Sequence, residues 1–411
     1  MAKFSPDRFP PGFFDLPQGA GETLPLDVIA LWTTGQQTRD RAREILAPHT
    51  LRGAMVSSDS AGLTRLTREL ALVEILAMIN RPKEIIHAWG TAIGGRALGV
   101  WAADNTQMFY PADVPADRLV GALLAVQHQV GGECEVAIGL CAHQGDFFVL
   151  GDGVYGPDAD RVELVAEEHT TGGEVVVTDT LAGSLGSSHT FQLVKRPELE
   201  REFGTMLRVT GGPRLTGVTP DNFRYPAPYS DGFAEELSVY GRNRRPSRMP
   251  QTRYRTATVV LIERENEERD IPEVAVLNDL ALAAAMKRIG GGLVERLQGT
   301  EIKTIGRISI YTFQEPGPAV EFARACRREL SEQGIQCRIG IDTGQVLVFD
   351  LGPGARDIAG GPVNVASKLA QDLGQYGVIH VTQGVADCID NHGGRRVSFD
   401  VAGVSVDAVI L

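Results

Sequence analysis

The feature that most restricts how this chain can fold is an internal repeat. Asp59 recurs as Glu263, and Gly173-Glu-Val-Val-Val-Thr178 recurs as Gly377-Val-Ile-His-Val-Thr382, both at an offset of 204 residues. Between these anchors, Ile93-Gly-Gly-Arg96-Ala-Leu-Gly-Val-Trp matches Ile305-Gly306-Arg307-Ile-Ser-Ile-Tyr at an offset of 211. Val136-Ala-Ile-Gly-Leu likewise matches Cys337-Arg-Ile-Gly-Ile. Self-similarity at a long fixed period means that one structural unit is built twice. The copies span about 50–195 and 253–411. Each alternates apolar strands with amphipathic helices, which predicts an α+β sandwich.

Inside the second copy, Asp357-Ile-Ala-Gly-Gly-Pro-Val-Asn-Val-Ala-Ser-Lys-Leu369 reads as a tight turn feeding a helix. Gly360, Gly361 and Pro362 make the turn, and Val363, Ala366, Leu369 and Ala370 give the helix an apolar stripe. Asp357 precedes the turn, while Asn364 and Lys368 lie four apart on one helix face. Upstream come Ile302-Lys303-Thr304-Ile305-Gly306-Arg307 and Cys337-Arg-Ile-Gly-Ile-Asp-Thr-Gly344; downstream, Gly377–Thr382 reads as a short buried strand. In the first copy, Gly53 to Gly62 is a strand that breaks into a helix just after Asp59. Each polar residue also has a structural reading. Asp59 caps a helix, Lys303 is a surface charge, Asp357 pairs with Arg356, and Asn364 faces solvent.

Taken together and in this order, the blocks resemble the class III nucleotidyl cyclases. That family carries a K-T-x-G-D hairpin, an R-I-G-I-x-T-G strand and a D-x-x-G-x-x-V-N-x-A-S-R-L turn–helix, and the likeness covers roughly 255–385. The resemblance implies an α+β fold of two tandem cyclase-homology (ferredoxin-like) α/β sandwich domains forming an intramolecular pseudo-dimer. Each domain is expected to be a mostly antiparallel sheet with helices on one face. It also implies conversion of a nucleoside triphosphate to a cyclic monophosphate and pyrophosphate, with Mg2+ or Mn2+ held by carboxylates.

The resemblance assigns roles residue by residue. Asp59, followed by Gly62 and Thr64, falls on the first metal-binding Asp; Lys303 and Asp357 fall on the pair that reads adenine. Asn364 matches the Asn that orients the ribose, and Lys368 replaces an Arg, keeping the charge but losing the planar fork. The offset of 211 puts Arg96 and Arg307 where the family has its second metal Asp, so Arg96 is read as a cation for the triphosphate. The reciprocal set is Glu263 and Arg307, facing Ala92, Gly153, Asp160 and Leu164, and reads as dead. The expectation is ATP binding at one composite site, with cyclic AMP formation weak or lost. The alternative is a pseudo-cyclase that senses nucleotide or serves as a protein scaffold, its protein partner unnamed.

The remaining sequence sets bounds. A net charge of −12 argues against general nucleic-acid affinity, and no apolar run is long enough to span a bilayer. Five scattered cysteines suggest reduced thiols and a cytoplasmic protein. The expected organisation is 1–50 as an N-terminal arm and leading helix, 51–195 and 253–411 as the two domains, and 196–252 as a Pro/Arg-rich linker. The leading helix would bury Val28, Leu31, Trp32, Ala42 and Ile45. In the linker, Arg242, Arg244, Arg245, Arg248, Arg253 and Arg255 read as a solvated run.

Overall fold

The computed structural model describes residues 5–16, 24–61, 70–99, 101, 105–151, 153–225, 229–243, 254–265, 271–352, 356–389, 393–401 and 404–411. Gly62, Thr64, Arg244, Arg245, Arg248 and Arg253 lie outside them. The chain divides into two units, one of Leu46–Pro246 with Leu351–Pro353, the other of Met1–Ile45, Ser247–Asp350 and Gly354–Leu411.

The chain begins with α1 (Leu26–Thr33) and α2 (Arg39–Leu46). The first copy follows as β1 (Thr50–Ser60), α3 (Leu72–Ala92), β2 (Arg96–Leu98), β3 (Thr106–Pro111), α4 (Ala116–Glu133), β4 (Ile138–Leu150) and β5 (Gly153–Tyr155). It continues through α5 (Pro157–His169), β6 (Val175–Thr178), β7 (Gln192–Lys195), β8 (Met206–Gly211) and a further helix, α6 (Asp231–Asn243). The second copy runs β9 (Tyr254–Arg264), α7 (Pro272–Arg296), β10 (Thr300–Ile305), β11 (Ile308–Phe313), α8 (Pro316–Glu332), β12 (Cys337–Asp350) and β13 (Arg356–Ala359). It closes with α9 (Gly361–Gln371), β14 (Ile379–Thr382), β15 (Arg395–Val401) and β16 (Val404–Ile410).

The sheet orders are β2-β3-β1-β4-β6-β8-β7 and β10-β11-β9-β12-β14-β16-β15, with β5 and β13 hung on β4 and β12. Every strand of one sheet therefore has its counterpart eight strands later. Apart from the parallel pairs β4–β6 and β12–β14, the ladders are antiparallel. Two sheet-plus-helix domains in tandem are what the resemblance implied.

The register tests the sequence offsets directly. Asp59 lies across from Gly139, and Glu263 across from Arg338. Val175 pairs with Leu140, and Ile379 with Ile339. Both ends of the 204-residue offset therefore agree, and Asp59 and Glu263 hold the same sheet position. The match of Val136–Leu140 to Cys337–Ile341 does not hold, because Gly139 occupies the place of Arg338, and Cys141 that of Gly340. Gly340 has its own use: a Cβ there would meet the Ala366 carbonyl at 2.0 Å, so glycine lets α9 lie directly on β12.

Three other expectations change. Helices cover both faces of the first sheet, not one. Val56, Leu140 and Val175 share a core with α3 and α4, whereas Met55, Cys141 and Val176 pack against Ala159, Val162 and Ala166 of α5. Residues 206–211, assigned to the linker, form β8, the counterpart of β16, since an inner strand is needed to carry β7. The first 45 residues join the second copy's unit: buried Trp32 donates its indole N–H to Asn278 Oδ1 on α7 at 2.9 Å, and Arg43 pairs with Glu273 at 3.0 Å. Val28 and Trp32 are buried as expected, but Leu31 is 49% exposed.

The stretch after β8 is bound, not loose. Leu215 N–H donates to the Gly121 carbonyl (2.9 Å), the Asn222 carbonyl bonds His87 Nδ1 (2.8 Å), and Tyr225 O–H donates to Asn80 Oδ1 (2.6 Å). Lys83 is the centre of this fastening. Its ammonium is buried, donates to the Trp101 carbonyl at 2.8 Å, and lies 5.2 and 4.7 Å from the rings of Tyr225 and Tyr229. Trp101 and Tyr225 stack at 5.5 Å. Lys83→Ala removes the cation, its hydrogen bond and the packed stem together, and is expected to cost about 3 kcal/mol. A urea midpoint lowered at unchanged slope, with altered Trp101 fluorescence, is the result to look for.

Candidate functional site

In the second copy the two residues assigned to base reading meet. Lys303 lies on β10 just after a register irregularity, and Asp357 opens β13. Lys303 Nζ donates to Asp357 Oδ2 at 3.0 Å, and Asp357 Oδ1 accepts the Ile358 amide at 2.8 Å. Asp357 is buried, so its charge is carried by these two donors. The result is a donor and an acceptor side by side, with Arg356 not involved: it pairs with Asp350.

Gly360 (φ +149°) bends the chain into α9, where a Cβ would strike the Gln345 carbonyl at 2.9 Å. Asn364 and Lys368 then project from the exposed side of α9. Lys368 is engaged with Asp372 one turn on. Lys303 and Asp357 are thus brought together, and Asn364 and Lys368 share a separate helical face.

The equivalent sheet position tells the two copies apart. In the second copy, buried Glu263 is bound by Arg338 at 2.6 Å from across the strand and by Arg307 at 3.8 Å from the β10–β11 turn. Two guanidinium groups satisfy this carboxylate, so it does not fit a cation. In the first copy, half-buried Asp59 has Gly139 as its cross-strand neighbour, a residue with no side chain to offer. Its oxygens suit a hard cation such as Mg2+ or Mn2+.

Arg96 is misplaced by the offset of 211. It pairs with Phe109, which pairs with Met55, four residues short of Asp59 and so roughly 13 Å away along the strand. It is exposed and its guanidinium lies 5.2 Å from the Phe109 ring, so it does not hold the sheet position equivalent to Arg307. Thr106 pairs with Ser58, and Ser309 with Ile262, making Thr106 the counterpart of Ser309. Counting back two residues, the counterpart of Arg307 is Asp104, which lies outside the described residues. The same ladders put Leu98, not Ala92, at the place of Lys303. Gly153 does stand at the place of Asp357, as expected.

Sequence reasoning missed the role of Arg338 and the polar pair behind the strands. Asp342 on β12 is half-buried, and desolvation raises its carboxyl pKa above the usual range, while Thr382 donates to it at 2.7 Å. The corresponding residues of the first copy are His143 and Thr178, 2.9 Å apart. His143 Nε2 also lies 3.1 Å from Asp158, and this contact holds the Asp158 carboxyl below its usual pKa. Among the described residues no three His, Cys, Asp or Glu side chains are grouped to hold a metal, and no helix is long and apolar enough to cross a membrane.

Against known proteins, residues 291–405 match the family model of the adenylate and guanylate cyclase catalytic domain. No curated protein matches the chain. Among solved structures, a class III adenylyl cyclase-like ATP-binding protein from Pseudomonas aeruginosa is similar over 83% of this chain and 85% of that one. The identity is 12% and the TM-score 0.55, a likeness of fold. The adenylyl cyclase CyaB from P. aeruginosa matches 38% of this chain and 94% of its own at 18% identity, TM-score 0.33. The guanylate cyclase domain of RhGC from Catenaria anguillulae in complex with GTP matches 38% and 94% at 17% identity, TM-score 0.32.

The different loads on Asp59 and Glu263 are measurable. Arg338→Ala strands a buried carboxylate and is expected to cost about 3 kcal/mol. Asp59→Asn, a change of nearly equal shape at a half-buried position that strands no buried charge, is expected to cost less than about 1 kcal/mol. Equal losses in urea denaturation would show that the two positions are not distinguished in this way.

Proposed function

We propose that this chain, whose residues 291–405 match the family model of the adenylate and guanylate cyclase catalytic domain, binds ATP at one composite site and cyclises it slowly. The observation that carries this reading is the Lys303–Asp357 pair, 3.0 Å apart. Adenine offers an amino group that a carboxylate accepts and ring nitrogens to which an ammonium donates. By the family's arrangement, the first copy brings Asp59 to the nucleotide whose base the second copy reads. The sealed Glu263 supports one such site and not two.

Asp59 would hold a divalent cation. When bound, the metal organises the 3′ oxygen and neutralises charge on the phosphates. Asn364 orients the ribose through its amide. Lys368 faces the phosphate as a point charge that can reach one oxygen, where a guanidinium would grip two. Slow turnover therefore rests on Lys368, already shared with Asp372, and no longer on Arg96. The second reading, a pseudo-cyclase that binds without turnover, is favoured by the same lysine.

Calorimetry with Mg2+ or Mn2+ should show ATP binding that Asp357→Ala weakens about tenfold, or roughly 1.4 kcal/mol. Cyclic AMP formation should lie far below the roughly 10 per second of an ordinary enzyme, and Lys368→Arg should raise it. An absence of ATP binding overturns the proposal. Wild-type turnover near ordinary rates overturns its second half.

A further inference from the structure

The second unit presents a basic trough that the nucleotide site does not use. Arg296 ends α7, and Arg324 and Arg328 lie four apart on α8. These three border a cavity of about 420 Å³ whose floor includes Leu297, Val320 and Ile389. A second cavity of about 520 Å³ shares Arg324 and Arg328 and continues past Ser331 to Ile335. The two form one shallow trough along α8.

The charges in this trough are not consumed by the fold. Arg327, facing the same region, is committed: it donates to the carbonyls of Gly377 and Leu411 at 3.3 and 3.2 Å. Among the described residues, Arg296, Arg324 and Arg328 have no carboxylate within ion-pair distance, although Glu321 lines the first cavity and Glu332 the second. Like charges at i, i+4 repel and weaken a helix, so the Arg324–Arg328 pair does nothing for α8 itself. In a chain of net charge −12, three uncompensated guanidinium groups on one face stand apart from the surrounding surface.

We infer that this trough is a docking surface for an acidic, amphipathic peptide segment of a partner protein. Its charge selects carboxylates and rejects nothing on the apolar side, because the floor between the arginines is aliphatic. Its length points the same way. From Gly317 to Glu332 α8 runs about 22 Å, enough for about seven extended residues or four helical turns. A single phosphate would use one end of it.

The probe is a fluorescein-labelled 14-residue peptide with Glu and Leu on opposite helix faces, titrated with the full chain by anisotropy. Binding is expected at low salt, falling about tenfold between 50 and 300 mM NaCl. Arg324→Glu with Arg328→Glu, both exposed, should abolish it without disturbing ATP calorimetry, whereas Arg214→Glu on the other unit should not. A Leu→Ser peptide should bind about tenfold more weakly, since the floor is apolar. The inference is overturned by no binding, by binding indifferent to the double reversal, or by inorganic pyrophosphate displacing the peptide as well as unlabelled peptide does. The last result would make the trough a phosphate site.

Discussion

The long antiparallel pairings β1–β4 and β9–β12 are the constraint on which the rest depends. Each side chain's face, and each residue's cross-strand neighbour, follows from their register, because a shift of one residue would turn every core side chain outward. The contrast between Asp59 and Glu263 begins with this register. Both stand one residue from the end of their strand, but the facing residue is Gly139 in one case and Arg338 in the other. An acid opposite glycine has no side chain facing it across the strand. An acid opposite arginine becomes part of the scaffold.

Helix placement converts that register into a site. Gly340 lets α9 settle onto β12, and Gly360 turns the chain into it, so Asn364 and Lys368 are carried at a set distance from the strands bearing Lys303 and Asp357. Charge is then the main difference between copies. Where the second copy has a Lys–Asp pair, the first has Leu98 and Gly153.

The repeat was legible in the buried strands, because burial on both faces keeps Val175–Thr178 and Ile379–Thr382 alike. It was misread where that pressure is absent. Val136–Leu140 was slid two residues along its partner, and a two-residue slip preserves the inward–outward alternation, so apolar pattern cannot detect it. The shared glycine was a coincidence: Gly139 makes room for Thr170, Gly340 for α9. Arg96 was misplaced because β2 is a short edge strand, and the Ile-Gly-Arg likeness had no core residues to anchor it. The apolar stripe of α1 was visible, but nothing local states which helix will cover it. The Lys83 fastening left no signal, since a lysine inside a helix reads as surface.

The seat of Trp32 on α7 has a consequence for synthesis. Its partner Asn278 lies 246 residues further along the chain. At about 5–20 residues per second, a ribosome needs roughly 12–50 s to reach it. For that interval α1 has an apolar face and no helix to cover it, while the first copy can fold beside it. The burial of that face waits on the return of this early segment to a helix made much later. A chaperone that shields short apolar helices would act on this chain in that window.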